Sequence, residues 1–313
     1  MWLTNILATV GNTPLIKIEN EPQINLYVKL EGMNPTGSIK DRAAAYLLPH
    51  LLETGTINQN TTIIESSSGN FGIALSAYCK QYGIKFICVV DPKILPINEF
   101  LIRSYGAQVE KVTECDEAGG YLLTRIKRVL KLCDSVKNSY WINQYSNTLN
   151  AQAYNETVGL EICRALQVDY IFIGVSSGGT IAGVSQCVKR WYANAKVVAV
   201  DIAGSIIFGG KADYRFIPGI GSSMVPEILK EAAINDVVIV TENESARMCR
   251  ILLKEHGLFV GGSSGSVYAG IKKYFEKTGM VCKPNVVAIF ADRGDRYIDT
   301  VYNDEWCKNN LEK

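Results

Sequence analysis

Along this chain, short runs of apolar, often β-branched residues alternate with stretches where apolar positions recur at helical spacing. Residues 61–65, 84–90, 170–173, 196–200, 236–240 and 285–290 are such runs, each bounded by polar residues or glycine. Between the first two, residues 72–82 carry a helical pattern closed by Gly83. Strand and helix in alternation predict an α/β architecture with largely parallel sheets. In such folds ligands bind at the carboxyl ends of strands, where loops lead into helices. A chain of 313 residues exceeds one simple core, so two lobes are expected. No internal repeat, low-complexity tract or long linker breaks the pattern.

Four places interrupt the apolar rhythm with small polar residues just before a helix. The first is Asn34-Pro35-Thr36-Gly37-Ser38-Ile39-Lys40-Asp41-Arg42. Pro35 and Gly37 set a turn, Ser38 can cap, and Lys40 falls in the first helical turn. The positive end of a helix dipole disfavours a cation there and lowers the amine's pKa. That suits a nucleophile or base, although taken alone a solvated lysine is the simpler reading. The second is Glu65-Ser66-Ser67-Ser68-Gly69-Asn70-Phe71-Gly72, a strand leading into a helix. Its N–H groups and hydroxyls suit a carboxylate or phenolate, and equally an ordinary serine cap. The third, Val175-Ser176-Ser177-Gly178-Gly179-Thr180, links a strand to a helix in the manner of a phosphate cradle. It lacks the Gly-Lys-Ser/Thr of a P-loop and the Gly-x-Gly-x-x-Gly of a dinucleotide site. A phosphate held by neutral donors fits pyridoxal phosphate (PLP) better. The fourth is Gly261-Gly262-Ser263-Ser264-Gly265-Ser266.

Composition narrows the choice. Hydrophobic residues make up 47% and charged residues 20%, as in soluble globular proteins. The 32 basic and 31 acidic residues leave +1. No surplus of positive charge draws nucleic acid or an anionic membrane, so any anion must be held locally. The start, Met1-Trp2-Leu3-Thr4-Asn5, lacks the basic and apolar regions of a signal peptide, and no apolar stretch is long enough to span a bilayer. Nine scattered cysteines without a Cys-x-x-Cys pair predict reduced thiols in the cytoplasm, with neither a disulfide framework nor a zinc site. His50 and His256 lack a nucleophile or metal context and read as structural, and no metal is expected. Proton transfer then falls to lysine, a carboxylate, tyrosine or a cofactor.

The order and spacing of the four motifs resemble the fold type II, tryptophan synthase β-like family of PLP enzymes. Cysteine synthases and cystathionine β-synthases belong to it. The resemblance runs from Val10-Gly11-Asn12-Thr13-Pro14-Leu15 to Asp292-Arg293-Gly294-Asp295-Arg296-Tyr297. It implies two α/β lobes with the cofactor in the cleft. Residues 1–34 and 144–313 would form a large PLP-binding lobe, and residues 35–143 a small mobile one. It implies that Lys40 is the Schiff-base lysine and that Asn70 bonds the phenolic oxygen. Ser176, Ser177, Gly178, Gly179 and Thr180 would hold the 5′-phosphate. Ser263 would face the pyridine nitrogen and leave it unprotonated, which suits elimination at the β-carbon over transamination. Ser67, Ser68, Gly69 and Asn70, joined by Gln144, would grip the amino-acid carboxylate. A homodimer is expected on the same ground.

Two departures point away from plain cysteine synthesis. Cysteine synthases usually have Pro-Thr-Ser-Gly-Asn-Thr-Gly where this chain has Ser66-Ser67-Ser68-Gly69-Asn70-Phe71-Gly72, so Phe71 removes a hydroxyl. Ser176-Ser177 stands where Gly-Thr is usual. Residues 89–93, 119–126 and 291–297 resemble the siderophore-pathway N-(2-amino-2-carboxyethyl)-L-glutamate synthases. That likeness implies that O-phospho-L-serine and L-glutamate are joined with release of phosphate, by a ping-pong route, toward L-2,3-diaminopropionate. Glutamate brings two carboxylates and needs a cation. Arg125 is the candidate, with Tyr145 and Ser176 as neutral partners and Arg293 and Arg296 as fallbacks. The alternatives are a cysteine synthase or β-cyanoalanine synthase, and, from another class, a catalytically silent binding module.

Overall fold

The computed structural model describes residues 3–115, 120–276 and 282–311. Met1 and Trp2 of the chain start, and Gly119 of the 119–126 segment, lie outside the described residues. In chain order the described strands are β1 (Leu15–Ile18), β2 (Asn25–Leu30), β3 (Thr62–Ser66), β4 (Lys85–Val90) and β5 (Gln108–Lys111). Then follow β6 (Ser139–Trp141), β7 (Tyr170–Gly174), β8 (Lys196–Ile202), β9 (Asp236–Val240) and β10 (Asn285–Phe290). The chain divides into two compact units, one of Met1–Val10 and Asn34–Asn147, the other of Gly11–Met33 and Thr148–Lys313.

The first unit is built on a four-stranded parallel sheet in the order β5-β4-β3-β6. Ile63 of β3 pairs with Phe86 on one side and Tyr140 on the other. Every residue of β3 is buried, so an uninterrupted apolar run suits it better than alternation. Ile64, Ile87 and Val89 pack with Val129 and Leu132 of the amphipathic helix Leu122–Ser135. The helix predicted over residues 72–82 starts two residues earlier, at Asn70, and ends as expected at Gly83, which takes the left-handed conformation at φ 67°. Lys40 opens the helix Lys40–Glu53. Ile39, not Ser38, occupies its N-cap position, and Ser38 Oγ still accepts the Lys40 N–H at 3.2 Å.

The second unit carries a six-stranded sheet in the order β1-β2-β10-β7-β8-β9, parallel except for the β1–β2 pair. β1 and β2 have no counterpart among the predicted runs. Lys17 and Lys29 break their apolar sequence, and β1 sits at the sheet edge with exposed residues. β9, at the other edge, exposes Val237 and Ile239, so its unbroken apolar run is half-solvated. The helix Gly262–Phe275 is buried from Gly262 through Ile271, and at its end Tyr274 meets Tyr170 and Phe172 of β7, and Phe275 meets Tyr170, edge to face. His50 stacks on Tyr46 within one helix, and His256 ends the helix Glu242–His256. Among the described residues no three His, Cys, Asp or Glu side chains are placed to hold a metal, and no helix is long and apolar enough to cross a membrane.

Candidate active site

In the first unit the site begins with a polar knot ahead of Lys40. The buried Asp41 carboxylate accepts from Thr36 N at 3.1 Å, Thr36 Oγ at 2.9 Å and Ser38 N at 3.4 Å. That fixes the turn and the direction of the helix it opens. The Lys40 side chain is partly covered, its ammonium lying 5.8 Å from the Phe71 ring centroid. Burial lowers its pKa from 10.5 to about 8, with the Glu65 charge opposing the shift. At pH 7.5 about a quarter of such amines are neutral, against about one in a thousand for an unperturbed lysine.

The segment after β3 forms the expected turn. Ser67 Oγ accepts the Gly72 N–H at 3.0 Å and faces the Gly69 N–H at 3.4 Å, closing Ser67, Ser68, Gly69 and Asn70 onto the helix start. Ser68 is held on every side. Its hydroxyl donates to Asp91 Oδ2 at 2.9 Å and accepts from Arg125 Nη1 at 3.0 Å, while its carbonyl accepts from the buried Asn98 Nδ2 at 3.1 Å. Arg125 Nε also lies 3.2 Å from Asp91 Oδ2, with only 13% of the arginine side chain exposed. So Arg125, on an amphipathic helix where most arginines face water, turns inward to the loop instead. Ser68 commits its one proton to Asp91, which leaves its hydroxyl an acceptor.

Gln144 joins the same turn. Its Nε2 donates to the Ser66 carbonyl at 3.2 Å, and its backbone N–H donates to Glu65 Oε2 at 3.2 Å. Glu65 is fully buried. Its Oε1 accepts from Ser66 N at 2.6 Å and Trp141 Nε1 at 3.2 Å. Burial pushes its pKa up from 4.5 to about 7, against the pull of those donors and of Arg125. Tyr145 follows Gln144; burial raises its phenol pKa, which the nearby Arg125 charge partly offsets. The first unit thus brings together Ser67, Ser68, Gly69, Asn70, Arg125 and Gln144 around the end of β3, with Tyr145 in the field of Arg125.

The second unit holds the other half of the expected residues. β7 ends at Gly174, and Ser176, Ser177 and Gly178 lead into the helix Gly179–Trp191. Gly178, at φ 86°, takes a conformation that side chains avoid, and it aims the first turn of that helix. Gly179 lets the chain pass Asn150, because a Cβ there would fall 2.5 Å from Asn150 Nδ2. Thr180 follows in the first turn. Ser176 Oγ donates to the Gly221 carbonyl at 3.1 Å, and Gly221 N donates to the Val175 carbonyl at 2.8 Å. Ser263 is buried as the second residue of the helix Gly262–Phe275, near the carboxyl end of β7. Arg293 is half-exposed in an ion pair with Asp295, and Arg296 is buried; both belong to this unit, unlike Arg125.

Sequence reasoning gave Glu65, Asp91 and Asn98 no role. For Glu65 the signal was present: a carboxylate closing an apolar, fully buried strand. Asp91 and Asn98 carry no local sign, since their partner Ser68 lies 23 and 30 residues away.

The donor set suits PLP. The second unit presents a helix N-terminus with neutral hydroxyls and glycines for a phosphate, and the first presents an amine with a lowered pKa. The family described as pyridoxal-phosphate dependent enzyme matches residues 6–292. The structure is similar to that of an O-acetylserine dependent cystathionine beta-synthase from Helicobacter pylori (TM-score 0.90, 32% identity, covering 97% of this chain and 100% of that one). It is also similar to a hydrogen sulfide-producing enzyme from Fusobacterium nucleatum (TM-score 0.88, 28% identity, 95% and 100% covered). A third similar structure is a lysine-to-alanine mutant of an O-ureido-L-serine synthase with O-ureido-L-serine bound (TM-score 0.88, 25% identity, 100% and 99% covered).

Proposed function

The chain belongs to the pyridoxal-phosphate dependent enzyme family, and we propose that it is a β-replacement enzyme joining O-phospho-L-serine to L-glutamate with release of phosphate. The product would be N-(2-amino-2-carboxyethyl)-L-glutamate, a precursor of L-2,3-diaminopropionate for a siderophore or related compound. When bound, the cofactor supplies the electron sink that lets a substrate lose its α-proton and its β-substituent. In this reading Lys40 is its covalent amine and, at Nζ, takes and returns the α-proton. Asn70 bonds its phenolic oxygen, and Ser176, Ser177, Gly178, Gly179 and Thr180 hold its phosphate. Ser263 faces its ring nitrogen with a neutral hydroxyl. Ser67, Ser68, Gly69 and Gln144 grip the substrate carboxylate, Ser68 through its backbone N–H because its hydroxyl proton is committed to Asp91.

The observation that carries the choice of second substrate is the inward turn of Arg125 onto Ser68. Arg125 is a cation set into the substrate loop and held there by Asp91 and Ser68, and a nucleophile bearing carboxylates would share its guanidinium. Tyr145 adds a neutral donor in the same field. A second reading follows from the 32% identical relative, described as an O-acetylserine dependent cystathionine beta-synthase: the same replacement with a sulfur nucleophile. Mass spectrometry separates the two. Incubation with O-phosphoserine and glutamate should give the carboxyethyl-glutamate adduct and free phosphate. Product only from O-acetylserine with a thiol or sulfide would overturn the first reading.

A further inference from the structure

Glu65 is a fully buried carboxyl for which the proposed chemistry has no use. It sits two residues before the Ser67–Asn70 turn, at the carboxyl end of β3. Its two oxygens tie together the start of that turn, through Ser66 N, and the Gln144 segment, through Gln144 N and Trp141 Nε1. The Gln144 side chain closes the loop by donating to the Ser66 carbonyl. The two arms of the carboxylate grip are therefore joined through one acid beneath them.

We propose that Glu65 is a positioning residue for this grip and that it takes up a proton as the grip closes on an amino-acid carboxylate. The inference rests on the assignment of Ser67, Ser68, Gly69 and Gln144 to the substrate carboxylate. Its physical basis is like-charge repulsion in a buried site. A substrate carboxylate resting on the turn faces an ionised Glu65 from the other side of the same few atoms, and the repulsion is relieved when Glu65 is neutral. Three acceptor bonds position Glu65 in either state, because a protonated carboxyl keeps acceptor capacity. Lys40 and Arg125 are the cations that face it, and Tyr145, Cys88 and Cys133 are the other titratable groups in its field. Burial already places its ordinary titration at about 7, so a small push moves its proton occupancy substantially.

The test uses the holoenzyme and L-alanine, which has the amino-acid head group and no leaving group. Titration calorimetry at pH 7 in buffers of different ionisation heats measures proton exchange on binding. Wild type should take up roughly 0.4 proton more than Glu65→Gln. Alanine affinity should weaken about tenfold between pH 6 and pH 8.5 in wild type relative to the same variant. In parallel, the Glu65 resonance of wild type labelled with 13C at glutamate carboxyls should titrate near pH 7 and move upward with alanine. This measurement needs no foldable variant. A Glu65 that titrates below pH 5, or is unmoved by alanine, overturns the proposal. So do identical pH profiles in wild type and Glu65→Gln. Gln144→Ala isolates the underlying assignment. If it binds alanine like wild type, the grip lies elsewhere and both readings fall. If it binds weakly while wild type and Glu65→Gln share one profile, only the Glu65 proposal falls.

Discussion

The candidate residues of the two units are made of different materials. The half in the second unit is neutral: serine and threonine hydroxyls, two adjacent glycines and the start of the helix Gly179–Trp191. The half in the first unit is a web of charges and their partners: Lys40, Glu65, Asp91 and Arg125, all partly or fully buried and within one unit. A neutral cradle grips an anion without changing strength across the working pH range. A web of buried charges is expensive to desolvate, but its pKa values move and its pairing can discriminate between ligands. In the proposed reading the residues of the first unit set reactivity and choice of substrate, and those of the second hold the cofactor.

The sharpest way to break that division is Lys40→Ala. In this variant the covalent bond to the cofactor should be lost, so that borohydride fixes no cofactor to the protein, and turnover should fall by about a thousandfold or more. The cradle should still retain the cofactor, visible after gel filtration as bound, unlinked PLP. A borohydride-stable linkage in the variant would place the reactive amine elsewhere. Complete loss of cofactor would show that the second unit alone does not hold it.

The same division decides what could be read from sequence. The cradle is local: strand end, two glycines and helix start fall within residues 174–180, so their spacing in the chain is their spacing in space. The Lys40 turn and the 65–72 segment are local for the same reason. The charged web is not. Arg125 reaches Ser68 across 57 residues, and Glu65 reaches Trp141 and Gln144 across 76 and 79. No periodicity announces such contacts. Arg125 was singled out because glutamate needs a cation, and its helix alone would have sent it to solvent. β5 and β6 escaped for a related reason. Both are short sheet-edge strands with partly exposed residues and no apolar run to mark them.

Arg125→Ala sharpens the comparison from within the charged half. Loss of a partly buried, charge-assisted contact costs about 2–3 kcal/mol, or roughly 30- to 150-fold, if glutamate uses it. Phosphate release from O-phosphoserine in a single turnover should persist, while condensation with glutamate slows by that factor. Asp91 then loses its ion-pair partner while keeping Ser68 Oγ, so Asp91→Asn in the same background should recover folding stability without recovering glutamate use. Normal glutamate turnover in Arg125→Ala would make the arginine a support for Ser68 only. Loss of phosphate release would move it to the first substrate.

The mildest of these changes acts on the neutral half and should leave the charged half silent. Gly179 has ordinary backbone angles, so alanine is allowed there conformationally. The obstacle is space. Its Cβ would fall 2.5 Å from Nδ2 and 2.8 Å from Cγ of Asn150, whose side chain is 1% exposed. Overpacking of this kind costs typically about 1–3 kcal/mol, because either the amide swings away or the first turn of the helix shifts. A shift of a few tenths of an ångström at a helix N-terminus misaligns the N–H groups offered to a phosphate. Gly179→Ala should therefore weaken PLP retention about tenfold, measured by equilibrium dialysis. In the proposed reading Lys40 takes the α-proton as a free amine whose pKa burial lowers to about 8, and the rising limb of activity against pH should stay where it is at saturating cofactor. If that limb moves with the loop, the two halves share their electrostatics, and the division between holding and reacting does not stand.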